Sequence, residues 1–221
     1  MFAGHVGAGL ALARVERRIN PGVFVGAALL LDLVLWPFVL LRWESVAIPA
    51  DFADTRQLLF AFPYSHGLAA ALAWSALAGA AGWVALRRLP GAASSRAAIA
   101  LAAAAFSHWL LDALVHRPEL PLAGAASPRV GLGLWDDMMA ALLLEAVVAV
   151  GGVWLFIAGC AWPRRRAIAL VVLGLLVLGF TVVGMTLAPP PPSAHALAVS
   201  SWVTLILVTA LVWWIGRDGQ R

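Results

Sequence analysis

The 221-residue sequence contains no lysine and few charged residues of any kind. Only 12% of its residues are charged, about half of the roughly 25% that is usual in soluble domains. In contrast, 63% of the residues are hydrophobic. This composition excludes a soluble globular protein. It predicts an all-α polytopic membrane protein, because helices satisfy their own backbone hydrogen bonds inside a bilayer.

Cysteine is almost absent as well. The single Cys160 excludes an internal disulfide and a cysteine-based zinc site. All 15 basic residues are arginines, and they lie in short clusters at the ends of apolar runs, where they set orientation and meet lipid headgroups. The net charge of +4 therefore indicates no nucleic-acid partner, and membrane lipid is the expected partner.

Long apolar runs separated by polar loops predict a single integral membrane domain, residues 1–221. The first run, 1–14, is shorter than the roughly 20 residues that a spanning helix needs, so it predicts a half-helix. Six further runs are long enough to span, at about 22–41, 65–86, 97–115, 138–162, 167–188 and 196–215.

The arginine clusters predict the orientation of these spans. In a six-span arrangement one side receives all of the clusters, which lie at 14–18, 87–96, 164–166 and 217–221. By the positive-inside rule, the arginine-rich loops and the C-terminus are cytoplasmic. The expected location is a bacterial inner membrane.

Three titratable residues at intervals of four, His108, Asp112 and His116, lie at the end of the third span. Residues four apart share one face of a helix, so these side chains form a stripe. An imidazole one turn from a carboxylate is a common pair of ligands for one metal ion. The alternative is that a histidine and an aspartate pair with each other and join two helices.

Other ionisable residues are predicted to lie near this stripe. A buried ionisable group is costly in a bilayer, so each one inside a span is a candidate functional residue. At about 1.5 Å per helical residue, the depths of Asp32, His66 and Glu145 allow them to share one pocket with the stripe, in the outer half of the bilayer. His5 joins them only if the half-helix rises from the cytoplasmic surface.

These histidines and carboxylates predict a divalent metal site, with zinc as the first choice and manganese or iron as alternatives. No serine or cysteine nucleophile motif is present, so metal-activated water is the predicted nucleophile. Asp32, Glu145 and His116 are candidate catalytic residues, and the sequence does not separate a base from a ligand. Arg117 and Arg129 on the outer loop are candidate contacts for a substrate phosphate.

Several short motifs, taken together, resemble those of one family. They are Gly4-His5, Leu31-Asp32, Tyr64-Ser65-His66, Ser107-His108-x-x-x-Asp112, His116-Arg117-Pro118-Glu119-Leu120-Pro121-Leu122 and Gly131-Leu132-Gly133-Leu134-Trp135. This set resembles the membrane-bound metal-dependent hydrolases of the YdjM-like group. More closely, it resembles their longer bacterial six-span relatives, which are labelled permeases or hydrolases. The resemblance covers most of the chain and implies a metal-dependent hydrolase in the membrane.

The order His, Asp, His, His-x-x-x-Asp is also similar to the order of metal ligands in zinc-dependent phospholipases C and related nucleases. That similarity implies a zinc ion with four ligands, which are Asp32, His66, His108 and Asp112. It also implies that Asp112 bridges to a second metal bound by His5.

Three functions remain open at this point. The predicted function is hydrolysis of a phosphoester, with a lipid as one candidate, in a pocket that opens to the outer leaflet. The first alternative is a proton- or ion-coupled transporter that uses the same His and Asp cluster. The sequence contains neither the internal repeats nor the paired discontinuous helices that favour a transporter. The second alternative is a structural protein whose polar residues only join helices. The sequence leaves the substrate, the number of metals and the oligomeric state open.

Overall fold

A computed structural model describes residues 1–87 and 91–217, with the side chains of residues 91–93 excepted. Most of the described chain is helical. In chain order the helices are α1 Phe2–Ala13, α2 Pro21–Ala28, α3 Leu30–Leu40, α4 Phe52–Thr55, α5 Leu68–Leu86, α6 Gly91–Val115, α7 Met138–Gly159, α8 Arg164–Thr186 and α9 Ala194–Gly216. The predicted all-α polytopic membrane fold is confirmed.

The helices long and apolar enough to cross a membrane match the predicted spans within a few residues. Five of the described helices, α5 to α9, meet this condition singly, and the bent pair α2–α3 brings the number to six. Capping residues explain several of the starting points. Asn20 accepts a hydrogen bond from the Gly22 amide at the start of α2, and Asp137 and Ser193 cap α7 and α9 in the same way.

The first span differs from its predicted form because it is broken at Leu29. The axes of α2 and α3 meet at 52°, although the sequence predicts one continuous helix over 22–41 and no discontinuous helices. At the break, the carbonyl oxygen of Ala28 accepts a hydrogen bond from Nδ1 of His108 at 2.7 Å. Irregular backbone at membrane depth is tolerated where another part of the protein satisfies it. The His108 side chain of α6 does so here.

The predicted half-helix is α1, which packs in close contact with α7. A Cβ atom built on Gly7 would lie 2.3 Å from the carbonyl oxygen of Val148, and one on Gly152 would lie 2.0 Å from that of Gly7. The two backbones therefore approach more closely than any larger residue would permit, as in small-residue helix contacts in membranes. Glu145 of α7 accepts hydrogen bonds from the amides of Phe2 at 3.1 Å and Gly4 at 2.7 Å.

Contacts gather several arginine-containing segments at one end of the bundle, the arginine end. Arg18 donates to Glu16 at 2.7 Å, and Arg96 at the start of the third span lies 3.6 Å from the same carboxylate. The hydrogen bond from Arg18 is the main cause that lowers the pKa of Glu16. Nearby, Asn20 donates to the carbonyl of Trp213 at 2.8 Å. Of the predicted arginine clusters, residues 88–90 and 218–221 lie outside the described residues.

The loops at the opposite end, the loop end, contain two short antiparallel ribbons. Strand β1, Ser45–Ala47, pairs with β2, Leu59–Ala61, and β3, Leu120–Pro121, pairs with β4, Arg129–Val130. The sequence predicts only polar loops there.

Side chains join these loops to one another. Gln57 and Arg117 both donate to Asp136, at 3.1 and 2.7 Å, and these two hydrogen bonds lower the pKa of Asp136. The loop end therefore forms a connected cover over the helices.

Candidate metal centre

The carboxylate of Asp112 lies at the centre of a buried cluster of histidines. Nε2 of His5 is 3.1 Å from its Oδ1 atom. Three further imidazoles approach its Oδ2 atom through Nε2, namely His108 at 3.3 Å, His66 at 3.6 Å and His116 at 3.7 Å. The α-amino group of Met1 also donates to Oδ1 at 3.0 Å. The helical stripe of α6 thus meets α1 and the segment before α5 at one carboxylate.

Asp32 is the second carboxylate of this cluster. Its Oδ1 atom lies 3.5 Å from Nε2 of His66 and 3.8 Å from Nε2 of His108. Its side chain is 22% exposed, whereas that of Asp112 is 3% exposed. Asp32 lies in the first turn of α3, directly after the break in the first span, so the break determines where this carboxylate stands.

The tautomer of His108 follows from its partner at the break. A carbonyl oxygen can only accept, so Nδ1 of His108 carries the proton that it donates to Ala28 at 2.7 Å. In the neutral imidazole the Nε2 atom then has a free lone pair, and this atom faces Asp112. Orientation of a ligating histidine by a backbone carbonyl on its other nitrogen is common in metal sites.

His66 is oriented by a relay of two residues from the loop end. The buried carboxylate of Glu44 accepts hydrogen bonds from the amides of Tyr64 and Ser65 and, at 2.7 Å, from the Ser65 hydroxyl. Because that hydroxyl donates to Glu44, its oxygen accepts from Nδ1 of His66 at 2.8 Å. The Nε2 atom of His66 is therefore the unprotonated nitrogen.

His116 follows the same pattern. Its Nδ1 atom donates to the carboxylate of Glu119 at 2.5 Å, which leaves Nε2 with a lone pair on the side of Asp112. The ring also packs against Trp135, with centroids 4.1 Å apart, and lies close to Phe62. Three imidazoles thus have an acceptor on Nδ1 and present Nε2 to one carboxylate.

The Nε2 atoms of His66 and His108 are only 3.2 Å apart. Between neutral rings with both protons on Nδ1, two lone pairs face each other at this distance, and that arrangement is repulsive unless a proton or a metal ion lies between them. Two nitrogen ligands at about 2.0–2.1 Å from a tetrahedral zinc ion are about 3.3–3.4 Å apart. The observed spacing therefore fits two ligands of one ion.

His5 completes the cluster from the side of α1. Its ring stacks on that of His108, with centroids 3.6 Å apart and an angle of 11° between the planes. The side chain is fully buried, and its Nδ1 atom has no hydrogen-bond partner among the described residues. Glu145 caps the first turn of α1 and so holds His5 in this position. The hydrogen bonds that Glu145 accepts come from backbone amides of α1.

Two overlapping sets of side chains in this cluster could hold a metal ion. The first contains His5, Asp32 and His108, and the second contains His66, His108 and Asp112. Within each set the ligand atoms lie within 4.8 Å of one another. All are nitrogen or carboxylate oxygen atoms. These are donors that zinc, manganese and iron accept.

A cavity of about 410 Å³ opens onto the cluster. Asp32, His66, Asp112, His116 and Glu145 all contribute to its lining. The remaining wall is mainly apolar and comes from α3, the 52–62 segment, α8 and α9. The cluster is thus buried on the side of α1 and accessible from this cavity.

The two arginines predicted to contact a substrate phosphate lie elsewhere at the loop end. Arg117 forms an ion pair with Asp136 at 2.7 Å, and Arg129 is an exposed residue of β4. Neither lines the cavity formed by the described residues. Arg56, which the sequence does not single out, does line it.

Glu44, Ser65 and Glu119 are further residues of the site, to which sequence reasoning assigns no role. They act on the histidines through hydrogen bonds that join distant segments. Glu119 alone carries a local signal, because it lies three residues after His116, a spacing at which side chains can meet.

Comparison with protein-family models gave no match to the chain, and neither curated proteins nor solved structures are detectably similar to it. Membership of the YdjM-like group therefore stays a prediction from the motifs. The functional inference depends on the geometry of the site.

Proposed function

We propose that this protein is a membrane-embedded metal-dependent hydrolase that acts on a phosphoester. The observation that carries the proposal is the pair of Nε2 atoms, of His66 and His108, that face each other at 3.2 Å. Both rings have their Nδ1 protons donated elsewhere. A divalent cation between them relieves the repulsion and is bound by the Asp112 carboxylate beside them.

The charges of the cluster favour a divalent ion, with zinc as the first choice and manganese or iron as alternatives. Asp32 and Asp112 supply two negative charges, and the neutral imidazoles supply nitrogen lone pairs. Buried charges in a membrane require such compensation. Mixed nitrogen and oxygen donors without thiolate suit these three metals.

When bound, such an ion lowers the pKa of a coordinated water and polarises a phosphoryl oxygen. Asp32 is the more exposed of the two carboxylates and faces the cavity, so we assign it the role of general base. Asp32 would take a proton from the water whose oxygen bonds to phosphorus, and would pass it to the alcohol oxygen that leaves as the ester P–O bond breaks. Asp112 stays ionised and holds the histidines in place.

We also infer the orientation of the protein and the side of the membrane on which the substrate meets it. The positive-inside rule supports a cytoplasmic location for the arginine end in a bacterial inner membrane. The loop end, with the cavity, then lies towards the outer leaflet. This orientation supports a substrate that is present on that side.

The test is the metal content of the detergent-purified protein, measured by mass spectrometry after reconstitution with zinc, manganese or iron. We expect about one or two equivalents in the wild type and a loss of bound metal in His108→Ala and Asp112→Ala. His195→Ala and Asp54→Ala serve as matched controls, because both side chains are exposed and lie outside the cluster. A wild type without metal after reconstitution would remove the basis of the hydrolase proposal.

A proton- or ion-coupled transporter is the second candidate, and one observation favours it. The first span is broken at the cluster, and discontinuous helices of this kind form ion sites in transporters. This candidate predicts proton or cation flux into liposomes that contain the protein, lost in Asp32→Asn. Metal-dependent release of phosphate without any flux would support the hydrolase instead.

A further inference from the structure

We propose that the cavity binds a single membrane lipid with a phosphate headgroup, contacted by Arg56, and that its acyl chain leaves the cavity between α8 and α9. The identity of the reaction rests on the proposed function. The binding of the lipid does not, because it depends on residues outside the metal cluster.

Two backbone features hold Arg56 at the cavity: its own backbone conformation and a carbonyl group that its side chain contacts. It follows α4 in the left-handed region, with φ of 57°, which non-glycine residues seldom adopt. Its guanidinium donates to the carbonyl of Ala188, in the turn between α8 and α9, at 2.5 Å. That bond uses one of five N–H donors. The remaining donors are available for a phosphate, which guanidinium groups bind through paired hydrogen bonds.

The cavity is lined both by the positively charged Arg56 and by the candidate metal ligands. Arg56 lines it together with Asp32, His66, Asp112 and His116. An anionic phosphate group suits this cavity, because Arg56 carries a positive charge. Within the cavity lining that the structure describes, Arg56 is the arginine that can make this contact.

The wall formed by α8 and α9 suits an acyl chain. Phe180, Gly184 and Met185 of α8 and Leu197 and Leu205 of α9 line the cavity. Three hydroxyl groups on this wall donate within their own helices, Thr181 to Val177, Ser200 to Leu197 and Thr204 to Ser200. The wall therefore offers mainly apolar surface.

The position of this wall indicates a lipid in preference to a soluble phosphoester. Both α8 and α9 are candidate spanning helices, so the part of the cavity that they line lies at the depth of the bilayer hydrocarbon. Cavities of about 300–1,000 Å³ hold drug-sized ligands. At about 410 Å³, this cavity therefore accommodates a headgroup and the first part of its chains, while the rest stays in the membrane.

The test is lipid binding by native mass spectrometry of the detergent-solubilised protein, with dioleoyl phosphatidic acid as the probe. Dioleoylglycerol has the same chains without phosphate, and glycerol 3-phosphate has the phosphate without chains. We expect phosphatidic acid to bind and the other two to bind at least about tenfold more weakly. Dioleoylglycerol lacks the charge-assisted contact, whose loss costs about 1.5–3 kcal/mol, and glycerol 3-phosphate lacks the chains whose apolar surface the cavity buries.

Two variants test the two halves of the site. Arg56→Gln should weaken phosphatidic acid binding about tenfold without loss of metal, and Arg129→Gln is its control on an exposed arginine. Gly184→Leu should block the chain path, because Gly184 lines the cavity and a Cβ atom there meets nothing within 4 Å. Gly179→Leu is its control on the same helix. Its Cβ atom is equally unobstructed, and the lining formed by described residues does not include Gly179.

Unchanged phosphatidic acid binding in both Arg56→Gln and Gly184→Leu would overturn the inference, whatever the metal content. Equal binding of dioleoylglycerol, or full competition by glycerol 3-phosphate, would also overturn it. Selective binding that both variants weaken would support it even in a preparation without metal. In that case the proposed hydrolysis would fail while the lipid site stands.

Discussion

Three of the four imidazoles around Asp112 are oriented by acceptors from three different parts of the chain. The Ala28 carbonyl fixes His108, the Ser65 hydroxyl fixes His66, and the Glu119 carboxylate fixes His116. Each acceptor places the proton on Nδ1 and leaves Nε2 free to bind a cation. Partners of this kind typically change metal affinity by about 10–100-fold when they are removed.

The relay from Glu44 through Ser65 gives a direct prediction at this scale. Ser65→Ala removes the acceptor on Nδ1 of His66, so the ring loses its fixed tautomer and orientation. We expect the dissociation constant for zinc to rise about 10–100-fold, measured by competition with a chelator.

The control is Ser75→Ala. Ser75 is another buried serine, and its hydroxyl donates to the backbone carbonyl of Ala71 at 2.6 Å. Equal zinc affinity in Ser65→Ala and Ser75→Ala would contradict the role of the relay.

At the scale of helices, the contact between α1 and α7 determines whether His5 reaches the cluster. Gly152 faces the backbone of Gly7, whereas a Cβ atom on the neighbouring Gly151 meets nothing within 4 Å. Gly152→Ala should therefore push α1 away from α7, and overpacking of this kind costs about 1–3 kcal/mol. Gly151→Ala should be neutral or slightly stabilising, by up to about 1 kcal/mol, since alanine is the better helix former.

Thermal unfolding of the two variants in the same detergent measures this difference. We expect a lower unfolding temperature and weaker metal binding for Gly152→Ala alone. Matching unfolding temperatures for Gly151→Ala and Gly152→Ala would show that α1 is not held by close backbone contact.

The helices were largely predictable from the sequence, whereas the break in the first span was not. Runs of apolar residues determine span length because the bilayer has a fixed thickness, and caps such as Asn20 and Asp137 mark where helices begin. Residue 29 is a leucine, whereas proline or glycine would mark a break in the sequence. The break is instead accompanied by a contact with His108 of α6. A contact between residues 80 positions apart leaves no signal in local periodicity.

At the scale of the whole molecule, the two ends differ in charge and in accessibility. The arginine end is predicted to face the cytoplasm and the loop end the opposite side. In a Cys160→Ala background, Ala125→Cys at the exposed loop end should react with a membrane-impermeant maleimide in intact bacterial cells. Val15→Cys, exposed between the arginines of the other end, should react only after permeabilisation. The reverse pattern would invert the orientation.

The candidate ligands of the site could be predicted from the sequence, whereas the residues that support them could not. Buried charges are costly in a membrane, so Asp32, His108 and Asp112 could be recognised from their positions within apolar runs. The structure brings them together. Arg56 and Glu44 lie in a loop where charged residues are ordinary. Only the folded loop end distinguishes them from Asp51 and Asp54, which are exposed.

The capping of α1 by Glu145 has a consequence for biosynthesis. The amide of Gly4 and the carboxylate that accepts its hydrogen bond are 141 residues apart in the chain. During synthesis α1 emerges long before α7, and it is too short to cross the bilayer by itself. His5 therefore cannot take its final position beside Asp112 until the translocon has released most of the spans. The centre can be completed only after insertion is nearly finished, so a metal ion bound at the proposed site would be loaded late in maturation.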